Sequence, residues 1–175
     1  MNYNRLNNNL ISVIKEAQLK LGYESHPIGV NYTEPSLCHL LCCEKGEVEQ
    51  KLADFCRESS DVFGKITFAK REGGYRLTVP QKGVDYVHSI LRGNEFLAVL
   101  INAVQMPGCT IETVLDIFHR FSDDVHFEEV ANGEFDYLVY FEDEGIDEFW
   151  YCFHDDELQL EYHRFIKEDY LDFDF

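Results

Sequence analysis

The net charge of this chain is confined to its second half, which restricts it to folds whose two halves present different surfaces. Residues 1–92 carry 12 Lys/Arg against 11 Asp/Glu, a net of +1, and residues 93–175 carry 3 against 22, a net of −19. Disordered acidic tails are poor in aromatic residues. Here the acids are threaded among Phe, Tyr and Trp, so the acidic half reads as a folded domain. At 175 residues the chain is long enough for two small domains with separate cores. Gly93 and Asn94 mark the boundary, giving domains 1–92 and 93–175.

No apolar run approaches a membrane span of about 20 residues, and Met1–Leu10 is rich in Asn rather than built as an export signal. The expected location is therefore cytoplasmic, with the six cysteines reduced. A net charge of −18 opposes diffuse binding to nucleic acid or to an anionic membrane, so DNA contact needs a local basic face.

In the first half, Leu6, Leu10, Ile14, Ala17 and Leu21 recur at helical spacing and Gly22 ends the helix. Tyr23 to Thr33 reads as irregular. Pro35 opens a short helix to about Lys45, Gly46 stops it, and Val48, Leu52 and Phe55 form the stripe of a helix over 47–58. Two short helices joined by a tight turn are helix-turn-helix grammar. Ile66 and Phe68, then Tyr75, Leu77 and Val79, alternate with polar residues on either side of Gly73-Gly74, which predicts a β-hairpin. Pro80 ends the hairpin and Gly83 breaks the chain again. Val84, Val87 and Leu91 then begin another helix. The run Gly73-Gly74-Tyr75-Arg76-Leu77-Thr78-Val79-Pro80-Gln81-Lys82-Gly83-Val84-Asp85-Tyr86-Val87, with the helices before it, resembles the winged-helix superfamily over residues 34–92. The whole chain is also similar to small bacterial proteins of unknown function.

In the second half, Phe96 to Met106 is apolar nearly all round, the pattern of a buried helix. Pro107-Gly108 ends it. Thr110 caps a second helix with Val114, Ile117, Phe118 and Phe121 on its core stripe. The period then changes to two: Phe135, Tyr137, Val139 and Phe141; Phe149, Tyr151 and Phe153; Leu158, Leu160 and Tyr162. These predict an antiparallel meander with all ten residues on one side. A two-residue turn at Asp155-Asp156 would set Trp150 opposite Glu161 and Glu148 opposite His163. Val125 to Val130 adds a candidate strand, and Arg164 to Asp172 a short terminal helix. The expected fold class is thus α+β: a winged-helix-like domain, then a small acidic domain of two helices and a β-meander.

The second face of that meander carries Leu138, Tyr140 and Trp150, ringed by Asp136, Glu142, Glu148, Glu157 and Glu161. An aromatic centre with a charged rim is the composition of a protein-binding patch, although a preceding helix or a homodimer partner would cover the same face. The leading expectation is a non-enzymatic interaction module that binds a basic protein or basic patch through Tyr140, Glu148, Trp150, Glu157, Glu161 and His163. The resemblance implies the alternative, a DNA-binding regulator. Its wing carries Lys65, Lys70, Arg71 and Arg76, while Glu47, Glu49, Asp54 and Glu58 make the recognition helix a poor approach to phosphates. A third alternative is a hydrolase using carboxylates with His126, His154 and His163. Cys38, His39, Cys42 and Cys43, with Cys56, lack the paired Cys-x-x-Cys spacing of structural zinc, and the cysteines read as buried thiols. No cofactor or metal is expected.

Overall fold

The computed structural model describes residues 3–90, 95–130, 133–156 and 159–171. The chain divides into two compact units, residues 1–92 and 93–175, and is α+β throughout. Among the described residues no helix is long and apolar enough to cross a membrane.

In the first unit, helix α1 (Asn4–Leu21) buries Leu6, Leu10 and Ile14 along one face and stops at Gly22, whose φ of 86° suits glycine. The segment read as irregular contains a strand, β1 (Ile28–Thr33). Thr33 then caps α2 (Glu34–Leu41), its hydroxyl accepting from the Ser36 N–H at 3.2 Å, with Pro35 in the first turn. Helix α2 ends at Leu41 rather than near Lys45, because Cys42 takes a left-handed conformation. Gly46 lies inside a short 3-10 turn, Lys45–Glu47. Helix α3 (Val48–Glu58) buries Val48, Leu52 and Phe55, and a single further turn, α4 (Ser60–Phe63), buries Phe63.

The hairpin forms as expected from β2 (Thr67–Arg71) and β3 (Gly74–Val79), and β1 adds to it in the antiparallel order β1-β3-β2. Val30, Tyr32, Tyr75, Leu77 and Val79 are buried, while Asn31, Arg76 and Thr78 line the opposite, exposed face. Gly83 does not break the chain. It lies in the first turn of α5 (Gln81–Ser89), where a Cβ would meet the Val79 side chain at 2.5 Å and the Phe63 carbonyl at 2.9 Å. The loop after α1 is tied to α5 by polar contacts: Tyr23 and Ser25 hydroxyls donate to Asp85 Oδ1 at 2.7 and 2.8 Å. Those two donors hold the Asp85 carboxyl below the usual carboxylate range. Leu91 lies outside the described residues.

In the second unit, α6 (Glu95–Val104) buries Phe96, Leu97, Leu100 and Ile101, and α7 (Ile111–His119) buries Val114, Ile117 and Phe118 behind its Thr110 cap. Four strands follow as a meander: β4 (Val125–Glu129), β5 (Tyr137–Phe141), β6 (Phe149–Asp155) and β7 (Leu160–Ile166). Phe96 centres the core, its ring 4.7 Å from Phe118, 4.8 Å from Phe141 and 5.7 Å from Tyr151. Both helices therefore serve the face that carries Phe141 and Tyr151. Asp147, only 8% exposed, accepts from the Phe149 N–H at 3.0 Å and the Tyr151 hydroxyl at 3.2 Å, which fixes the start of β6.

Three expectations for this sheet are corrected. Strand β7 runs to Ile166, so Phe149 pairs with Ile166, Trp150 with Phe165, Cys152 with His163 and His154 with Glu161. The pairing has slipped by four residues from the expected one, an even number, so every side chain keeps its face. Phe135 lies off β5 and packs with Leu138 and Cys152 on the other face. The terminal helix α8 (Lys167–Leu171) starts three residues later than expected, because β7 occupies those positions. Leu158 lies outside the described residues.

Candidate functional site

The face of the acidic unit's sheet opposite α6 and α7 carries an aromatic row built by strand pairing. His126 on β4 is the register partner of Tyr140 on β5, and their rings stack at 4.5 Å and 14°. Tyr140 in turn stacks on Trp150 of β6 at 4.2 Å and 3°. Ring stacks across adjacent strands reflect the short spacing of directly opposed side chains. Tyr170 of α8 leans against Trp150 at 5.2 Å, and Lys167 Nζ sits 5.7 Å from the same ring. Leu138 and Cys152 are buried beneath with Phe135, whereas His126, Tyr140 and Trp150 remain partly exposed.

Carboxylates flank the open end of this row. His126 Nε2 is 3.6 Å from Glu128 Oε2 and its Nδ1 is 3.5 Å from Glu142 Oε1. Burial, then Glu142, then Glu128 push the Tyr140 phenol above its ordinary range. Glu142 was expected on this rim. His126 and Glu128 join it through the pairing of β4 with β5, a signal contained in the alternation of Val125 to Val130.

The register separates residues that the sequence reading had grouped. Glu161 faces His154 rather than Trp150, and His163 faces Cys152. Four positions along a strand span about 13 Å, so Glu161 sits well away from the ring row. It belongs to a second polar group with Asp136, whose Oδ2 is 2.9 Å from His154 Nδ1, while His163 packs 5.6 Å from Phe135. Glu148 is half-buried just before β6, and Glu157 lies outside the described residues. The three histidines do not converge: His126 is at the Trp150 end, and His154 is four residues further along β6.

On the first unit's sheet, register puts Arg71 opposite Gly74 and Arg76 opposite Ala69, so both arginines share the exposed face. The Arg76 guanidinium lies against the Gly29 backbone, in space a Cβ would fill. Lys70 has the other parity, with Nζ 5.8 Å from the Tyr75 ring, and Lys65 precedes the strand. On α3, Arg57 is engaged by Asp54 at 2.6 Å, leaving the acids of that helix dominant.

The cysteines are not all buried as expected. Cys42 is exposed at the end of α2, Cys38, Cys43 and Cys56 are half-buried, and only Cys152 is fully buried. Burial pushes the Cys56 thiol up to about 11 and the Cys152 thiol up to about 12. Such thiols are protonated at neutral pH and make poor ligands. Among the described residues no group of three or more His, Cys, Asp or Glu side chains is arranged to hold a metal ion.

Comparison with curated proteins and with solved structures gives no match. One family model does match, over residues 3–173, nearly the whole chain. The chain belongs to that family, described as a domain of unknown function, E. rectale Gene description (DUF3877).

Proposed function

We propose that the protein is a non-enzymatic recognition module whose acidic unit binds a basic protein partner. The observation that supports this reading is the His126–Tyr140–Trp150 ring row, partly exposed and flanked by Glu128 and Glu142. Aromatic rings offer large, rigid contact area, and carboxylates beside them accept hydrogen bonds from Arg or Lys. A segment carrying −19 steers such a partner toward encounter. The test is capture from native host lysate with nuclease present, using the full chain and a Glu128→Gln/Glu142→Gln variant. A captured basic protein should bind the variant with an association rate lower by about tenfold at low salt and a flatter salt dependence. Equal rates and equal salt dependence for the two chains would overturn the reading.

The first unit supports a second reading, a winged-helix regulator that touches DNA. Helices α2 and α3 precede the hairpin, β1 completes a three-stranded sheet, and Arg71 and Arg76 share its exposed face. On this reading Arg71→Ala and Arg76→Ala each weaken duplex binding at all sequences and lower the salt slope by about one. Fluorescence anisotropy with random duplex at several salt concentrations checks this, and an unchanged slope sinks it. The excess of acids on α3, where Glu49 and Glu58 add to the paired Asp54, is why we place it second.

A further inference from the structure

Helix α2 closes on a left-handed residue that is not glycine. Cys42 has φ of 50°, the one non-glycine residue with positive φ among those described. Its N–H donates to the His39 carbonyl at 3.1 Å, and the next N–H, of Cys43, donates to the Cys38 carbonyl at 3.0 Å. A six-to-one bond around a five-to-two bond is the Schellman motif, which brings the side chains at its two outer positions together, usually as an apolar contact. Both outer positions here are cysteines. Both are half-buried, and after burial itself a charge on Cys38 raises the Cys43 thiol, as its place across the turn requires.

We propose that Cys38 and Cys43 form a reversible intramolecular disulfide, which makes the C-terminal end of α2 a thiol-oxidation site. The co-reactant is a low-molecular-weight disulfide such as oxidised glutathione. A thiolate at one of the two cysteines attacks it, forms a mixed disulfide and releases one glutathione thiolate. The neighbouring cysteine, deprotonated in turn, attacks the protein sulfur of that mixed disulfide and expels the second glutathione. The protein loses two hydrogens, and the two electrons reduce one glutathione disulfide to two thiols. The backbone bonds that already hold positions 38 and 43 together supply the proximity the second step needs.

The surroundings set the pace. Burial and then the Glu34 charge raise the Cys38 thiol, with Lys45 opposing and Glu44 adding. Burial and then a charge on Cys38 raise Cys43, with Glu47 adding and Lys51 opposing. The thiolate is thus scarce at neutral pH and exchange accelerates as pH rises. Cys42 is the wrong partner despite its exposure, because its Sγ is turned toward the His39 carbonyl, at 3.6 Å. Oxidation would lock the turn that leads into the Glu44–Glu47 capping box and so into α3.

The test uses the full chain, reduced, desalted and exposed to oxidised glutathione, then alkylated and mapped by mass spectrometry. The wild-type chain and Cys42→Ser should lose two hydrogens within the peptide holding residues 38–43, at rates within about twofold of each other. Cys38→Ser and Cys43→Ser should stop at a glutathione adduct. A wild-type chain that also stops at the adduct, pairs through Cys42, or cross-links between molecules would overturn the proposal. Phenylarsine oxide, which bridges two neighbouring thiols without oxidising them, supplies a second readout. It should bind wild type and Cys42→Ser but not Cys38→Ser, and failure to bind the wild-type chain would equally overturn the pairing.

Discussion

Phe96→Ala should destabilise the acidic unit by about 3–5 kcal/mol, the range for emptying a buried aromatic position. Phe96 is 1% exposed, and besides Phe118, Phe141 and Tyr151 its ring meets Phe121 at 5.4 Å. Those partners come from α7, from the segment after it and from two strands of the meander. Losing the ring therefore loosens the attachment of both helices to the sheet at once. Edge-to-face ring pairs add about 0.5–1.5 kcal/mol each beyond buried area. Trp150, the chain's single Trp, belongs to this unit, so urea unfolding followed by its fluorescence reports on residues 93–175. A loss under about 1.5 kcal/mol would mean that Phe96 is not the keystone its ring contacts describe.

Gly74→Ala should cost the first unit about 3 kcal/mol or more, at the upper end for forcing an extra carbon into packed structure. A Cβ at Gly74 would collide with the Tyr32 carbonyl oxygen and lie 2.8 Å from the Thr33 Cα. Both obstacles are backbone, so no side chain can rotate away, and β1 must separate from β3. Its neighbour supplies the contrast. Gly73 has open space around it but φ of 77°, so Gly73→Ala costs only the left-handed penalty of about 1–2 kcal/mol. Far-UV circular dichroism during urea unfolding should show the Gly74 variant unfolding at a clearly lower urea concentration than the Gly73 variant. Equal effects at positions 73 and 74 would show that the close approach is not what requires the glycine.

What could be read from the sequence was whatever was local. The hairpin was legible because Gly73-Gly74 and the alternation on both sides lie within thirteen residues, Thr67 to Val79. Strand β1 alternates just as well, through Ile28, Val30 and Tyr32, yet its partner is β3, far along the chain beyond three helices. Nothing beside it marks it as a strand. The β6–β7 register failed differently. A slip of four residues preserves both faces, so hydrophobicity cannot distinguish the expected pairing from the observed one, in which Trp150 meets Phe165. That slip moved Glu161 away from the ring row. The pairing of β4 with β5, in contrast, brought His126 and Glu128 to it. Gly83 was misread because glycine in a helix usually signals a stop, whereas here it answers to the closeness of Val79 and Phe63.

The order in which strands pair also bears on how each unit assembles in time. In the acidic unit every strand joins the next one along the chain, so each rung closes a short loop, as from Asp155 to Leu160. The first unit must bring Thr33 to Gly74 across α2, α3 and α4 before β1 gains a single ladder bond. Loop closure costs entropy before distant contacts repay it, so non-local pairing slows folding. The β2–β3 hairpin is therefore expected to form early in the first unit and β1 to join last. Until β1 arrives, β3 keeps an unpaired edge, and it is in that interval that the neutral half of the chain is most open to capture by a neighbour.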